Sequence, residues 1–358
     1  MKFEKEIYIK NTKISIDSPT YFIADIAANH DGDIERAKDL IWLAKESGAD
    51  AVKFQHFTAE KIVSDFGFRK LGGQLAHQAN WNKSVFDTYK EYECSLNWTN
   101  VLLKTSSDAG IDFLTTPYDL DAVKILDKHL PAYKIGSGDI TWIDFIKQIA
   151  DRNKPILIAT GASNIDDVRR VVNSIAKINN KLILMQCNTN YTGSIANFKF
   201  INIRVLNTYA KEFPGIVLGL SDHTPGHTTV LGAITLGARV IEKHFTDNTD
   251  RAGPDHLFSM SPISWLEMIN RSRELEMALG DSIKKIEANE IDSSIVQRRS
   301  IRLKRDMKIG EIVENDDIEM LRPAPIDSCP PYMSSMIIGR SLNKSISAGD
   351  VISLNDLE

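Results

Sequence analysis

The chain has 358 residues, 42% of them hydrophobic and 25% charged, with a net charge of −5 and a pI near 6.0. That balance argues against a protein built to coat nucleic acid, and no apolar run reaches the length needed to cross a bilayer. The three cysteines, Cys94, Cys187 and Cys329, are too few and too scattered for a disulfide framework, and "MKFEKEIYIKN" lacks an apolar signal core, so a cytoplasmic protein with reduced thiols is expected.

In chain order, short apolar runs alternate with segments of helical period. The predicted strands are "YFIADIA" (21–27), "AVKFQ" (51–55), "DFLTT" (112–116), "AYKIGS" (132–137), "PILIAT" (155–160), "KLILMQC" (181–187), "IVLGLSD" (216–222) and "VIEKHF" (240–245). Helical patterns such as "DIERAKDLIWLAKESGA" lie between them, each opened by a residue able to cap it. Near-continuous apolar strands are those of a parallel sheet buried on both faces. Eight strand–helix units in about 280 residues predict a (β/α)₈ barrel over 1–280 rather than a doubly wound open sheet, since no GxGxxG follows the first strand. A polar linker is expected over 281–296. A small all-β domain is expected over 297–358, where "KIGEIVENDDIEMLRP" and "SAGDVISLNDLE" form a weak internal duplication.

A barrel of this kind gathers its active site at the C-terminal ends of the strands. Those ends carry Asp25 with Asn29 and His30, Lys53 with Gln55, Thr116, Ser137 with Asp139, and Thr160. The last three carry Thr189 with Tyr191, Ser221 with His223, and Glu242 with His244. The long segments 56–86 and 187–199 are expected at the same face, as substrate lids.

His223 and His244 end strands seven and eight. Either could be an unrelated core histidine. Neighbouring strands, however, let two imidazoles converge on one Mn²⁺, Fe²⁺, Co²⁺ or Zn²⁺ with positions open for water and substrate. Lys53 interrupts a buried run and needs a partner: a carboxylate such as Asp25 or Glu242, a Schiff-base substrate, or an anion. The small and hydroxyl residues of "TTP" (115–117), "GSGD" (136–139), "ATGAS" (159–163) and "GLSD" (219–222) favour a phosphorylated small substrate. Asp25, Asp139, Asp222, Glu242 and Asp255 supply carboxylates for acid–base or structural work.

The stretches "IADIAANHDGD", "FLTTPYD", "PAYKIGSGD", "IATGAS", "LGLSDHT" and "EKHFTDNTDRAGPDHLFSM" resemble the sialic acid synthase family in order and spacing. The tail, with "LRPAP" and "IGRSLNKSISAGD", is similar to the antifreeze-like domain that closes those enzymes. The resemblance implies condensation of phosphoenolpyruvate with an open-chain N-acyl hexosamine. The product would be a nonulosonic acid, assisted by a divalent metal, Mn²⁺ first with Mg²⁺ or Co²⁺ as alternatives, on His223 and His244. By the same resemblance Lys53, Gln55, Thr116, Lys134, Ser137, Thr160, Thr189 and Ser221 surround phosphoenolpyruvate. Asp139, Tyr191, Asp255 and Arg322 meet the sugar, Asp25 joins Lys53 and the histidines in catalysis, and Arg322 comes from the partner of a domain-swapped homodimer. The chain departs from the family pattern at Asp25 and Asp139, both usually Glu, at Ala159, usually Ser, and in "QCNTNYTG". Two rivals are a different phosphoenolpyruvate-dependent ulosonic acid phosphate synthase and a non-catalytic carbohydrate-binding barrel. Loss of His223, His244 or Lys53 would mark the last, and all three are present.

Overall fold

The computed structural model describes residues 2–358, which divide into two compact units, one ending at residue 280 and the other running from 281 to 358. In the first, eight parallel strands follow the chain: β1 (Tyr21–Asp25), β2 (Ala51–His56), β3 (Asp112–Pro117), β4 (Tyr133–Ile135), β5 (Ile156–Ala159), β6 (Leu182–Cys187), β7 (Val217–Asp222) and β8 (Ala238–His244). Hydrogen-bonded ladders join them in the order β3-β2-β1-β8-β7-β6-β5-β4, and β3 lies beside β4, completing the ring. The barrel is the one expected.

Alternate residues of a strand point to opposite faces, and that parity organises the interior. One set, with Phe22, Val52, Phe54, Phe113, Ile158, Leu184 and Ile241, faces the surrounding helices. The other turns inward, and its lower layers are apolar: Tyr21, Ile23, Ala51, Leu114, Leu157, Ile183, Met185 and Val240. An N-terminal hairpin, Ile7–Ile9 paired antiparallel with Thr12–Ile14, adds buried Ile7, Ile9 and Ile14 to that cluster and stops the lower end of the barrel. Sequence reading passed over this hairpin. Its signal was the alternation of Ile7, Tyr8 and Ile9 before the turn at Lys10 and Asn11.

The β2–β3 connection runs to Trp98 rather than residue 86. It contains short helices Ala59–Ile62, Asp65–Lys70 and Val85–Glu91. His56 is the buried peg beneath it: Nδ1 meets Thr115 Oγ1 at 2.8 Å, while Nε2 faces Cys94 Sγ at 3.7 Å and Thr99 Oγ1 at 3.4 Å.

In the second unit, Ser300–Leu303 pairs antiparallel with Ile318–Leu321 around a core of Ile301, Leu303, Met307, Val313, Ile337, Leu342 and Ile352. Bridges such as Met307 with Ile346 tie in the duplicated segment. Both copies of the repeat end in a capping box, Glu314 with Asp317 and Ser353 with Asp356. The expected linker is partly ordered as a helix, Ile291–Val296, preceded by a box of Glu287 with Glu290.

Candidate active site

Two residues up from the apolar layers, the inward positions become polar. A cavity of about 360 Å³ opens there, lined among others by Asp25, Lys53, Gln55, Thr116, Lys134, Ser137, Asp139, Tyr191, Ser221, His223, Glu242 and His244. Parity explains the gathering. Asp25 follows Tyr21 and Ile23 on one side of β1, Lys53 and Gln55 follow Ala51, and Glu242 and His244 follow Val240.

Lysine–carboxylate pairs form the floor. Lys53 Nζ lies 2.7 Å from Asp25 Oδ2 and 3.4 Å from Thr116 Oγ1, and Gln55 Nε2 donates to the same carboxylate at 3.1 Å. Burial pushes the Asp25 carboxyl up, but the Lys53 ammonium and then His244 outweigh it, and the net direction is down. Burial likewise pulls the Lys53 ammonium down, and the Asp25 and Glu242 charges more than restore it, leaving it raised. The second pair is Lys134 Nζ with Glu242 Oε1 at 3.1 Å, which also accepts from Ser221 Oγ at 3.2 Å. Glu242 Oε2 is buried with no hydrogen-bond partner. Sequence reading named Glu242 as a candidate partner of Lys53; the structure pairs it with Lys134 instead.

The histidine rings stand 5.3 Å apart between centroids. His223 Nδ1 faces the Asn188 carbonyl at 2.8 Å; a carbonyl only accepts, so Nδ1 carries the proton and Nε2 keeps its lone pair. Burial first and the neighbouring His244 second push His223 down to about 3, so it is the neutral imidazole a metal requires. His244 Nδ1 is buried without a hydrogen-bond partner, 3.8 Å from Asp255 Oδ2, and Nε2 is 3.7 Å from Asp25 Oδ2. Among the described residues no three His, Cys, Asp or Glu side chains form a closed metal cage. Two neighbouring imidazoles, one with its Nε2 lone pair free, suit an open site completed by water and substrate.

Lys243, between Glu242 and His244, points outward, 2.5 Å from Asp222 Oδ2, whose carboxylate also accepts from Thr224 and Thr229. This buried pair braces β7 against β8 beneath the histidines.

Three expected residues stand elsewhere. Thr160 follows the inward Ala159 by one position and so turns outward, donating to the Met185 carbonyl at 2.9 Å and accepting from Tyr209 OH. The structure therefore does not place it in the cavity, and Ser163 donates to the Gly161 carbonyl instead of replacing it. Thr189 packs at the rim, against the space a Cβ on Gly161 would fill. Arg322 is an exposed residue of the second unit. Asp255 lies just above the cavity, accepting from the Ala28 N–H at 3.0 Å. Its loop is held by His256 Nε2, 2.8 Å from Asp31 Oδ1. Asp139 is mostly buried, and that burial raises its carboxyl to about 6.

A (β/α)₈ barrel whose C-terminal mouth joins two lysines, clustered hydroxyls and paired imidazoles has the layout of an enzyme active site. The chain belongs to the NeuB family, which it matches over residues 40–284, and its residues 298–358 match the SAF domain. It is 33% identical over 347 residues to the N,N'-diacetyllegionaminic acid synthase of Legionella pneumophila, covering 94% of each chain. It is 36% identical over 309 residues to the synthase of that name from Campylobacter jejuni, covering 85% of this chain and 91% of that one. Among solved structures, the spore coat polysaccharide biosynthesis protein SpsE of Bacillus subtilis is similar with a TM-score of 0.64 at 28% identity, over 99% of both chains. Among the described residues, no helix is long and apolar enough to cross a membrane.

Proposed function

We propose that this protein condenses phosphoenolpyruvate with an open-chain N-acyl hexosamine, N-acetylmannosamine or a 2,4-diacetamido relative, to give a nonulosonic acid and phosphate. The observation that carries this reading is one cavity in which Lys53, Lys134, Ser137 and Ser221 lie beside His223 and His244. The lysines and hydroxyls suit the phosphate and carboxylate of phosphoenolpyruvate, and the Gly161 N–H, which donates to Ser137 Oγ at 2.9 Å, fixes one hydroxyl.

His223 and His244 would hold a divalent cation, Mn²⁺ first with Mg²⁺ or Co²⁺ as alternatives, whose Lewis acidity activates the sugar aldehyde. The residues hold the C3 carbon of phosphoenolpyruvate against that aldehyde carbon, and a C–C bond forms while C2 becomes cationic. Water adds at C2 and the C2–O bond to phosphate breaks. Asp25 takes the proton that water releases on addition, the C2 hydroxyl gives up its own as phosphate departs and the ketone forms, and of these two protons one converts the new alkoxide to a hydroxyl and the other leaves with phosphate. Asp25 is suited to the base role because Lys53 keeps it ionised at rest.

Three βα connections carry exposed apolar side chains, Phe66 and Leu75, Ile195, and Leu257, each 64 to 77% exposed. A second copy's C-terminal unit covering them, with its Arg322 over the sugar, gives a domain-swapped homodimer.

The test is phosphate release from phosphoenolpyruvate with Mn²⁺ across N-acyl hexosamines, with and without chelator; no release with any sugar from folded, metal-loaded protein refutes the reaction. For the dimer, Arg322→Ala and His244→Ala proteins, each inactive, are mixed. Recovery of activity means Arg322 acts across the interface, and no recovery means it does not.

A further inference from the structure

We propose that His256 and Asp31 are positioning residues for the acceptor sugar: the hydrogen bond between them aims the Asp255 carboxylate across the mouth of the cavity. This rests on the reaction proposed above and adds two residues to it.

Above the histidines the mouth is bounded by a belt of aromatic side chains, Phe57, His77, Trp81, Tyr89 and Tyr191, and among the described residues its only carboxylate is Asp255. Asp255 Oδ2 stands 3.8 Å from His244 Nδ1. An acceptor with its aldehyde at the histidines passes this carboxylate, whose direction decides which hydroxyl or amide N–H it receives. Asp255 sits on a loop, and a loop side chain is only as well aimed as its supports.

Those supports converge on one ring. His256, next in the chain to Asp255, is fully buried. Its Nε2 lies 2.8 Å from Asp31 Oδ1; a carboxylate accepts, so Nε2 is the donor. Thr246 Oγ1 meets Nδ1 at 2.8 Å, so both ring nitrogens are held. The chain folds directly over this ring. A Cβ on Gly253 would lie 2.6 Å from His256 Cδ2 and 3.0 Å from Nε2, and Pro254 and Asp255 then lead from the ring to the mouth.

Asp31 is anchored independently, by Arg251 Nη2 at 2.8 Å and Arg36 Nε at 3.1 Å. Its φ of 52° is a left-handed conformation that aspartate tolerates better than most side chains. Burial pushes the Asp31 carboxyl up, but His256, Arg251 and Arg36 outweigh it and hold the group below the usual carboxylate range. The Ala28 N–H donates to Asp255 Oδ2 at 3.0 Å. Asp31 and Ala28 belong to the same connection after β1. That connection therefore grips Asp255 twice, at the carboxylate directly and at the neighbouring backbone through His256. Loss of the His256 ring leaves Asp31 with both arginines, so the pair can be broken without stranding a charge.

The experiment joins steady-state kinetics of the full chain to hydrogen exchange of the Ala28 amide, whose partner is the Asp255 carboxylate. His256→Leu, which keeps bulk but not the donor, is expected to raise the sugar KM about tenfold or more and to leave the phosphoenolpyruvate KM within about twofold. His256→Gln, whose Nε2 can still donate to Asp31, should recover most of that loss. On an Asp255→Asn background, His256→Leu should add less than about twofold, because its effect is exerted through Asp255. With no sugar or metal present, the Ala28 amide should exchange at least about tenfold faster in His256→Leu than in the parent. If His256→Leu does not fold, Asp31→Asn carries the same readings. An equal rise in both KM values, an undiminished effect on the Asp255→Asn background, or unchanged Ala28 exchange overturns the inference. A parent protein that turns over no hexosamine sinks the proposed reaction instead, and Ala28 exchange then decides the placement of Asp255 by itself.

Discussion

Lys53 Nζ sits 2.7 Å from Asp25 Oδ2 with both side chains 2% exposed, so each charge in the barrel interior is carried by the other. Removing one partner strands the second in a low-dielectric setting. Lys53→Met is expected to cost about 3–5 kcal/mol in urea unfolding. The Asp25→Asn/Lys53→Met pair should return most of that stability but no phosphate release. A Lys53→Met protein as stable as its parent would contradict the pairing.

His223→Ala and His244→Ala should each lower turnover by about a thousandfold or more, roughly 4 kcal/mol of lost transition-state stabilisation. Each should also lose stoichiometric Mn²⁺ binding while keeping the parent circular dichroism spectrum. Metal content after gel filtration checks the assignment independently of activity.

Gly161→Ala tests the anion cradle. A Cβ there would stand 2.3 Å from Thr189 Cγ2, 2.9 Å from Ser137 Oγ and 3.1 Å from Cys187 Sγ, so these neighbours must move. The expected outcome is a KM for phosphoenolpyruvate raised about tenfold or more, with a smaller change in the sugar KM. Unchanged phosphoenolpyruvate kinetics would remove Ser137 from the cradle.

Asp139 gives a pH-dependent stability with a definite sign. Burial raises its carboxyl from 3.8 unfolded to about 6 folded. Below about pH 4 it is neutral in both states and costs nothing. Ionisation favours the unfolded chain increasingly as pH rises from about 4 to 6, and the full penalty stands above that. Asp139→Asn is therefore expected to raise the melting temperature at pH 8 relative to the parent and to leave it unchanged near pH 4. An equal shift at both pH values would point to packing rather than ionisation.

Much of this architecture was legible in the sequence because parallel strands buried on both faces read as unbroken apolar runs. Lys53 betrayed the barrel's interior by interrupting one of them. Reading faces was harder. One residue separates Ala159, which lines the cavity, from Thr160, which bonds the outer face, and nothing local fixes which of the two turns in. The same parity turns Glu242 into the cavity and its neighbour Lys243 out of it, toward Asp222. The aromatic belt was not legible at all, because Phe57, His77, Trp81 and Tyr89 lie across a connection whose fold depends on packing against the barrel.

The hairpin carrying Ile7, Ile9 and Ile14 has a consequence for traffic. Apolar side chains close the lower end of the barrel beneath the cavity, so among the described residues access comes from the C-terminal mouth. Whatever binds against the lysines must arrive before the sugar closes the passage behind it. Under the proposed reaction, phosphate formed at that inner station would wait for the larger product to leave. Such a one-ended chamber imposes a queue, first in and last out, on chemistry whose bond-making steps would not themselves require any order.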